Sequence, residues 1–251
     1  MEQLVYKRTS LIRPDTSSGF CPGCMHSTVC KLIGEVIEDL HIEDKVAVVF
    51  GVGCNGLAMN YLTFDNTTSP HGRACAVANG VKKSSPETIV FTYQGDGDLG
   101  SIGLGETVAA ANRGDNISVI FVNNGIYGMT GGQMAPTTLI GMKATTAPQG
   151  RKAELHGYPM HMCELLDSLT APVYLERVSC NTAANVIKTR KAMKKAFQNQ
   201  IDGKGFSMVE IVTTCPTNWG YSTLDALTFL EEEMFKEYPL GVIRDKTEGG
   251  K

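Results

Sequence analysis

The chain has 251 residues, of which 42% are hydrophobic and 20% are charged, and its formal net charge is −3. This composition predicts a folded protein with a real core, and the weak negative charge without a basic cluster excludes nucleic acid and anionic membranes as expected partners. No apolar stretch reaches the roughly 20 residues of a membrane span, and residues 1–20 lack an apolar core of signal-peptide length, so we expect a cytoplasmic protein.

Apolar, β-branched runs alternate with helical patterns along the chain. The predicted strands are 46–52, 88–93, 117–122, 172–178 and 207–212. The predicted helices are 27–40, 100–112, 160–169, 183–199 and 223–237. This alternation predicts an α/β fold with a mostly parallel sheet covered by helices on both faces. We expect one domain over residues 1–251, with an N-terminal arm at 1–20 and a C-terminal segment at 215–251.

Four of the predicted strands run directly into segments that contain glycine, asparagine, aspartate or cysteine. These segments are 53–55, 95–98, 123–124 and 214–216. In an open parallel sheet, ligands bind outside the carboxyl ends of the strands. The sequence therefore predicts that all four segments lie on one rim of the sheet and form the active site.

The segment 95–100 matches the G-x-G-x-x-G pattern of dinucleotide-binding proteins, but it also contains two aspartates. A dinucleotide places its pyrophosphate on bare backbone N–H groups, and carboxylates inside that turn would repel it. Asp96 is better explained as a ligand of Mg²⁺, which binds carboxylate and phosphate oxygens together. Asn124, at the end of the next strand, can supply a second oxygen. A non-enzymatic dinucleotide-sensing domain stays open as an alternative.

Eight cysteines are present, and in a cytosolic protein clustered cysteines are considered first as metal ligands or redox thiols. Cys21 and Cys24 form a C-x-x-C motif just before a predicted helix. With Cys54 and Cys215 they supply four thiolates, which suits either tetrahedral zinc or a cubane iron–sulfur cluster. Cys180 is the rival fourth ligand, because it too follows a predicted strand.

The other thiols and the histidines receive simpler interpretations. Cys30 and Cys163 fall on helical patterns and are expected to be small buried hydrophobic residues. Cys75 adjoins a His-Gly-Arg segment, so contact with a bound cofactor stays open. Four histidines are expected in the core or on the surface, away from the rim: His26, His41, His156 and His161.

Six sequence blocks together resemble the β subunit of 2-oxoacid:ferredoxin oxidoreductases, in this order and at similar spacings. They are 20–24 (FCPGC), 51–54 (GVGC), 71–74 (HGRA), 95–98 (GDGD), 123–133 (NNGIYGMTGGQ) and 215–219 (CPTNW). The resemblance runs from about Cys21 to about Tyr238. It implies a thiamine-diphosphate-binding fold of the diphosphate type. It further implies Mg²⁺ bound by Asp96, Asn124 and the backbone carbonyl of Ile126.

The resemblance also implies the remaining site residues. It assigns Cys21, Cys24, Cys54 and Cys215 to one [4Fe–4S] cluster. The expected cofactor-binding residues are Val52, Gly53, Cys54, Asn55, His71, Gly72, Arg73, Ala74, Asp96, Gly97, Asp98, Asn124, Ile126, Gly128 and Met129. His71 and Arg73 are the expected catalytic residues, which would position the diphosphate or the substrate carboxylate. The alternative is a structural turn closed by a salt bridge.

The implied activity is oxidative decarboxylation of a 2-oxoacid to its acyl-CoA, with ferredoxin as the electron acceptor. We expect an α subunit that carries the pyrimidine domain and a ferredoxin-like cluster subunit as partners. The chain departs from many relatives at Met25, Asn55 and Leu57, which leaves the substrate open. We favour 2-oxoisovalerate, with 2-oxoglutarate or pyruvate as alternatives. A non-redox thiamine-dependent decarboxylase subunit with structural zinc is the other alternative.

Overall fold

A seven-stranded sheet forms the centre of the protein in the computed structural model, which describes residues 8–247. The strands in chain order are β1 (Val46–Phe50), β2 (Asp65–Thr68), β3 (Ile89–Gly95), β4 (Ser118–Asn123), β5 (Ile126–Tyr127), β6 (Gln133–Met134), β7 (Tyr174–Ser179), β8 (Ser207–Val212) and β9 (Gly241–Asp245). The large sheet has the order β2-β1-β3-β4-β8-β7-β9, and β5 pairs with β6 in a separate hairpin. All neighbouring strands of the large sheet are parallel except β9, which is antiparallel to β7.

Helices cover both faces of this sheet. In chain order they are α1 (His26–Leu40), α2 (Ala74–Ser84), α3 (Leu104–Arg113), α4 (Ala153–His156), α5 (Met162–Asp167), α6 (Ala183–Ile201), α7 (Pro216–Trp219), α8 (Thr223–Phe229) and α9 (Phe235–Glu237). The helix α6 begins at a side-chain cap, in which the Thr182 hydroxyl accepts a hydrogen bond from the backbone N–H of Asn185.

The alternation of strand side chains divides the core into two layers. Val48, Phe50 and Phe91 pack on the face covered by α1 and α6. Val49 and Val90 point the other way and pack on the face covered by α2, α3 and α5. Because both faces are buried, the central strands are apolar throughout, as expected of a parallel sheet. The predicted α/β fold with helices on both faces is confirmed.

Several element boundaries differ from the sequence-based expectation. The strand predicted at 46–52 ends at Phe50, where the chain turns towards Gly53. The helix predicted at 100–112 starts at Leu104, after a π-helical turn over Asp98–Ile102. The helix predicted at 223–237 is interrupted by a second π-helical turn over Leu230–Met234. The elements that were not predicted are α2, α4, α7, β2, β5, β6 and β9.

The amino-terminal arm is described from residue 8 onwards. Leu11 is buried, and Ile12 forms an isolated bridge with Leu62. Residues 1–7 and 248–251, which complete the expected arm and C-terminal segment, lie outside the described part of the chain. Over residues 8–247, no helix is both long enough and apolar enough to cross a membrane. The assignment of the whole chain to one domain stays a prediction.

Candidate functional site

A cavity lies at the carboxyl ends of β1, β3 and β4. The chain leaves β1 for β2 on one side and returns to β3 on the other side, so the strand order reverses between β1 and β3. Such a reversal opens a crevice above the sheet, where ligands of α/β proteins bind. The cavity is lined by His26, Val52, Gly53, Cys54, Asn55, His71, Gly95, Asp96, Gly97, Asp98, Asn124, Ile126, Tyr127, Gly128, Met129 and Thr130. The structure thus brings the predicted cofactor-binding residues together, except for Gly72, Arg73 and Ala74.

Asp96 is buried at the floor of this cavity. One carboxylate oxygen accepts a hydrogen bond from the backbone N–H of Gly97 at 2.8 Å. The other accepts from the N–H of Ile126 at 3.2 Å and from the hydroxyl of Thr137 at 2.8 Å. Burial nevertheless raises the pKa of Asp96 to about 6. A carboxylate that is costly to ionise in isolation is suited to a site where a cation lies beside it.

Asn124 lies next to Asp96 because β3 and β4 are neighbours, with Gly95 opposite Val122. The side-chain oxygen of Asn124 accepts a hydrogen bond from the N–H of Ile126 at 3.1 Å. Asp96 binds the same N–H group, so the two oxygen ligands approach each other closely. A carboxylate and an amide oxygen at one point are the hard oxygen donors that Mg²⁺ prefers. These residues therefore fit the predicted metal site.

The turn that carries Asn124 has its own supports. Gly125 has a φ of 69°, a left-handed conformation that glycine adopts without strain. Its N–H donates to the side-chain oxygen of Asn123 at 3.2 Å. The indole N–H of Trp219 donates to the carbonyl of Asn124 at 3.1 Å. The turn is thus fixed from the sheet side and from the segment that follows Cys215.

Asp98 joins three segments around the cavity. Its carboxylate accepts hydrogen bonds from the N–H of Val52 at 3.0 Å, the N–H of Gly72 at 2.8 Å and the side-chain amide of Gln94 at 2.6 Å. The Nδ1 atom of His71 lies 2.6 Å from the same carboxylate, although it lacks the alignment of a hydrogen bond. These contacts hold His71 at the cavity wall and occupy Asp98 with structural bonds.

Arg73 lies outside the cavity. It forms a salt bridge, as expected for the structural turn that is the alternative to a catalytic role. Its guanidinium forms a salt bridge with Glu106 at 2.6 Å and donates to the carbonyl of Ile102 at 3.2 Å. The neighbouring Gly72 has a φ of 78°, and a Cβ atom there would lie 2.6 Å from the backbone of Ile102 and Gly103. No contact here supports a catalytic role for Arg73, so that role stays a prediction.

Two features of the cavity wall suit a polar ligand. The side-chain amide of Asn55 donates to the carbonyls of Gly51 at 2.8 Å and Tyr93 at 2.7 Å, while its oxygen is buried and has no hydrogen-bond partner among residues 8–247. A buried acceptor of this kind is costly unless a ligand supplies the missing donor. Gly53 and Gly97 leave bare backbone at the cavity, which allows close approach of a diphosphate.

The four predicted cluster ligands lie together, and one of them, Cys54, lines the cavity. A Cβ atom placed on Gly128 would lie 3.4 Å from the thiol of Cys54 and 3.5 Å from that of Cys215, so these two residues are neighbours. Burial raises the pKa of Cys24 to about 12, with smaller contributions from the thiols of Cys215, Cys54 and Cys21. Residues from three separate parts of the chain thus meet at one point.

A hydrogen bond connects the first cysteine motif to the segment that carries Cys215. The hydroxyl of Thr214 donates to the carbonyl of Gly23 at 2.7 Å. Within the motif, the N–H of Cys24 donates to the carbonyl of Cys21 at 3.0 Å. The Asn218 amide donates to the thiol of Cys215 at 3.3 Å. These bonds hold the thiols in place without any disulfide.

The four thiols match two kinds of metal centre. Four thiolates suit tetrahedral zinc as well as a cubane iron–sulfur cluster. Over residues 8–247, no group of three or more histidine, cysteine, aspartate or glutamate side chains is arranged to hold a single metal ion. Iron, sulfide and zinc analysis of the purified protein decides between the two centres.

The remaining cysteines lie elsewhere. Cys180 is buried, and burial raises its pKa to about 11 without a contribution from any other thiol. Cys30 lies 3.9 Å from the hydroxyls of Tyr61 and Tyr93 in the core. Cys163 is buried in α5, and Cys75 donates to the side-chain oxygen of Gln94 at 3.4 Å. The position of Cys180 favours Cys215 as the fourth ligand.

His26 is a cavity residue that the sequence analysis missed. It is buried at the first position of α1, lines the cavity, and its Nδ1 atom lies 2.5 Å from the hydroxyl of Tyr93. The ring of Phe20 stacks on it at 5.0 Å. Burial lowers the pKa of His26 to about 4, so the imidazole is neutral at physiological pH. The sequence signal for a place in the cavity was its position two residues after Cys24, a predicted cluster ligand.

Comparison with known proteins identifies the family of this chain. Residues 51–211 match the family described as thiamine pyrophosphate enzyme, C-terminal TPP binding domain. The chain is 48% identical over 232 residues to ketoisovalerate oxidoreductase subunit VorA of Methanothermobacter thermautotrophicus, which covers 92% of this chain and 49% of that protein. The chain thus spans about half the length of this curated relative.

Two further similarities cover most of both chains. The chain is 38% identical over 220 residues to 2-oxoglutarate synthase subunit KorB of Methanocaldococcus jannaschii, with 85% of this chain and 77% of that protein covered. The fold is similar to that of 2-oxoglutarate:ferredoxin oxidoreductase from Magnetococcus marinus with 2-oxoglutarate, coenzyme A and succinyl-CoA bound. The TM-score is 0.78 at 24% identity, with 99% and 88% of the two chains covered. The chain therefore belongs to the thiamine pyrophosphate-binding subunits of the 2-oxoacid:ferredoxin oxidoreductase family, as its six sequence blocks predicted.

Proposed function

We propose that this chain is the cofactor-binding subunit of an enzyme that oxidatively decarboxylates a 2-oxoacid to its acyl-CoA, with ferredoxin as the electron acceptor. One observation carries the proposal. Asp96 and Asn124 meet on the floor of a cavity that Cys54 also lines, and the thiol of Cys215 lies beside that of Cys54 at Gly128. Oxygen ligands for a metal diphosphate and thiolate ligands for a redox cluster are thus adjacent, as electron transfer between the two groups requires.

In this proposal Asp96, Asn124 and the carbonyl of Ile126 would hold Mg²⁺, whose charge would bind the diphosphate of the cofactor. Thiamine diphosphate supplies the electron sink that decarboxylation of a 2-oxoacid needs. The buried oxygen of Asn55, which has no partner within residues 8–247, would be available to accept a hydrogen bond from the cofactor. His71, which lies against Asp98, and the neutral His26 line the same cavity and would provide polar groups beside the cofactor.

Cys21, Cys24, Cys54 and Cys215 would hold one [4Fe–4S] cluster, whose chemistry is one-electron acceptance. Burial raises the pKa of both Cys24 and Cys54, to about 12 and about 11. Positive charge from bound iron is therefore needed to keep these sulfur atoms as thiolates. The thiols of Cys24 and Cys54 are therefore better suited to bind iron than to act as a free redox dithiol.

We further propose that partner subunits complete the site. Val52 and Met129 line the cavity, yet their side chains are 43% and 48% exposed, and Ile102 nearby is 44% exposed. Large apolar side chains at the mouth of a cavity are typical of a surface that another subunit covers. A subunit with the pyrimidine domain fits this surface, and a ferredoxin-like subunit would relay electrons from the cluster to ferredoxin.

For the substrate we propose 2-oxoisovalerate, since the relative with 48% identity is named a ketoisovalerate oxidoreductase subunit. The alternatives are 2-oxoglutarate and pyruvate. Measured kcat/KM values for the three acids, with coenzyme A and ferredoxin supplied to the assembled enzyme, decide between them. The highest value for either alternative would refute the proposed substrate.

The metal site is tested by the Asp96→Asn variant in the assembled enzyme, purified anaerobically. We expect it to lose Mg²⁺-dependent binding of thiamine diphosphate in titration calorimetry, because a neutral amide replaces the charged ligand. Asp202→Asn, on an exposed loop after α6, serves as the matched control and should bind like the wild type. Unchanged affinity in Asp96→Asn would refute the role of Asp96. Anaerobic analysis of iron, sulfide and zinc in the same samples separates a cluster from structural zinc.

A further inference from the structure

Asn123 lies directly before the proposed metal ligand Asn124, and its amide is fully buried between two partners. The side-chain NH₂ group donates to one carboxylate oxygen of Glu210 at 2.8 Å. The side-chain oxygen accepts from the N–H of Gly125 at 3.2 Å. A carboxylate can only accept, so Glu210 fixes which end of the amide faces the turn. The orientation of Asn123 therefore determines how Gly125 is held.

Glu210 is itself fixed by Arg177. The Nε atom of Arg177 donates to the second carboxylate oxygen of Glu210 at 2.9 Å. Both residues lie almost completely out of solvent, on the adjacent strands β8 and β7. The guanidinium also binds Glu164, whose side chain is 46% exposed. Arg177 thus has one carboxylate partner facing the active site and one facing solvent.

Stability alone does not explain this buried ion pair. The free-energy cost of removing two charges from water cancels most of the gain from their attraction. Proteins in which apolar residues replace such a pair are often as stable. What the pair provides is a rigid acceptor for Asn123. A second connection runs in parallel, because Tyr238, which packs against Arg177 at 5.5 Å, donates to the carbonyl of Thr137 at 2.7 Å. The Thr137 hydroxyl in turn donates to Asp96.

We infer that Glu210 is a positioning residue for the metal, acting through Asn123 on the turn that presents Asn124 and Ile126. The inference rests on the proposed function. It states that the affinity for the divalent ion depends on a carboxylate that does not touch the ion. Groups that orient metal ligands from behind typically change metal affinity by about 10- to 100-fold when they are removed.

The test is the Glu210→Gln variant in the assembled enzyme, freed of divalent ions and supplied with thiamine diphosphate. Glutamine keeps the size of the side chain but has an NH₂ donor in place of one carboxylate oxygen, so either Asn123 or Arg177 loses its acceptor. Bound Mn²⁺ is measured from the loss of the electron paramagnetic resonance signal of the free ion. We expect about 10- to 100-fold weaker Mn²⁺ binding, with kcat largely restored at saturating metal.

Glu164→Gln is the matched control. It also removes a carboxylate from Arg177, but Glu164 does not contact Asn123, so Mn²⁺ affinity should stay within about twofold of the wild type. Wild-type affinity in Glu210→Gln would overturn the inference, and so would equal weakening in both variants. If Glu210→Gln does not fold, Asn123→Ala decides, because it keeps the ion pair and should lose the same affinity. Absence of Mn²⁺ binding in the wild type would instead refute the proposed function.

Discussion

Replacing Cys215 by alanine should damage both the redox group and the fold. In the proposed cluster, Cys215 connects the segment after β8 to Cys54, which follows β1. The two residues are about 160 positions apart, and closing a loop of that length by a crosslink restricts the unfolded chain by about 5 kcal/mol at 25 °C. This figure is an upper limit, because the unfolded state retains some structure. For a chain of this size it corresponds to a fall in Tm of about 10–20 °C.

The matched control is Cys180→Ala. Cys180 is also buried after a strand, but no other thiol contributes to its pKa. Its loss removes one buried sulfur atom, so we expect a destabilisation of about 1 kcal/mol and a complete cluster. Both variants are purified anaerobically with their partners. Iron and sulfide are counted, the reduced cluster is examined by low-temperature electron paramagnetic resonance, and Tm is measured by scanning calorimetry.

The expected result is a depleted or three-iron cluster in Cys215→Ala and four irons in Cys180→Ala. A full cluster in Cys215→Ala, together with loss of iron in Cys180→Ala, would refute the assignment of the fourth ligand. A full cluster and an unchanged Tm in both variants would show that neither thiol binds iron and that the crosslink argument fails.

Two further predictions concern the stability of the scaffold. Gln200→Ala removes a buried side chain whose amide forms hydrogen bonds with both backbone groups of Val90 and with the hydroxyl of Ser118. The free energy of unfolding in urea should fall by about 2–4 kcal/mol, while the affinity for thiamine diphosphate should not change. An unchanged free energy of unfolding would contradict this prediction. Burial raises the pKa of the Cys180 thiol from 9.0 to about 11, so its contribution to stability is complete below pH 9 and is lost as the pH rises through 11. Urea midpoints between pH 8 and pH 11 should therefore fall less in Cys180→Ala than in the wild type, and parallel curves would show that this thiol does not titrate as stated.

The sequence predicted the central strands well because a parallel sheet buried on both faces needs continuous apolar runs. Residues 207–212 form β8 with the predicted bounds. The polar edge strand β2 could not be found in this way, since all four of its residues are exposed. The helix α2 begins with small residues and has only three buried positions, so its periodicity is weak. Strand β9 depends on pairing with β7, a contact that local pattern does not encode.

The candidate site was predictable wherever a ligand type follows a strand directly. Asp96, Asn124 and Cys54 are of this kind, and the strand order brings them together. His26 was missed because it precedes the sheet and reaches the cavity only through the packing of α1. The role of Glu210 was also out of reach, because a glutamate within an apolar strand shows its partners only in three dimensions.

The hydrogen bonds of Trp219 and Asn218 connect the proposed cluster site to the proposed diphosphate site. These residues follow Cys215 and donate to the carbonyls of Asn124 and Gly128, on the proposed metal-binding turn and the loop beyond it. In the proposed enzyme, iron bound at Cys215 therefore also steadies the diphosphate site, and by reciprocity the bound diphosphate strengthens iron retention. Air oxidation that removes iron would release thiamine diphosphate from the same molecule. A damaged molecule would then lose both the cluster and thiamine diphosphate. It would not persist as an enzyme that decarboxylates its substrate without an acceptor for the electrons.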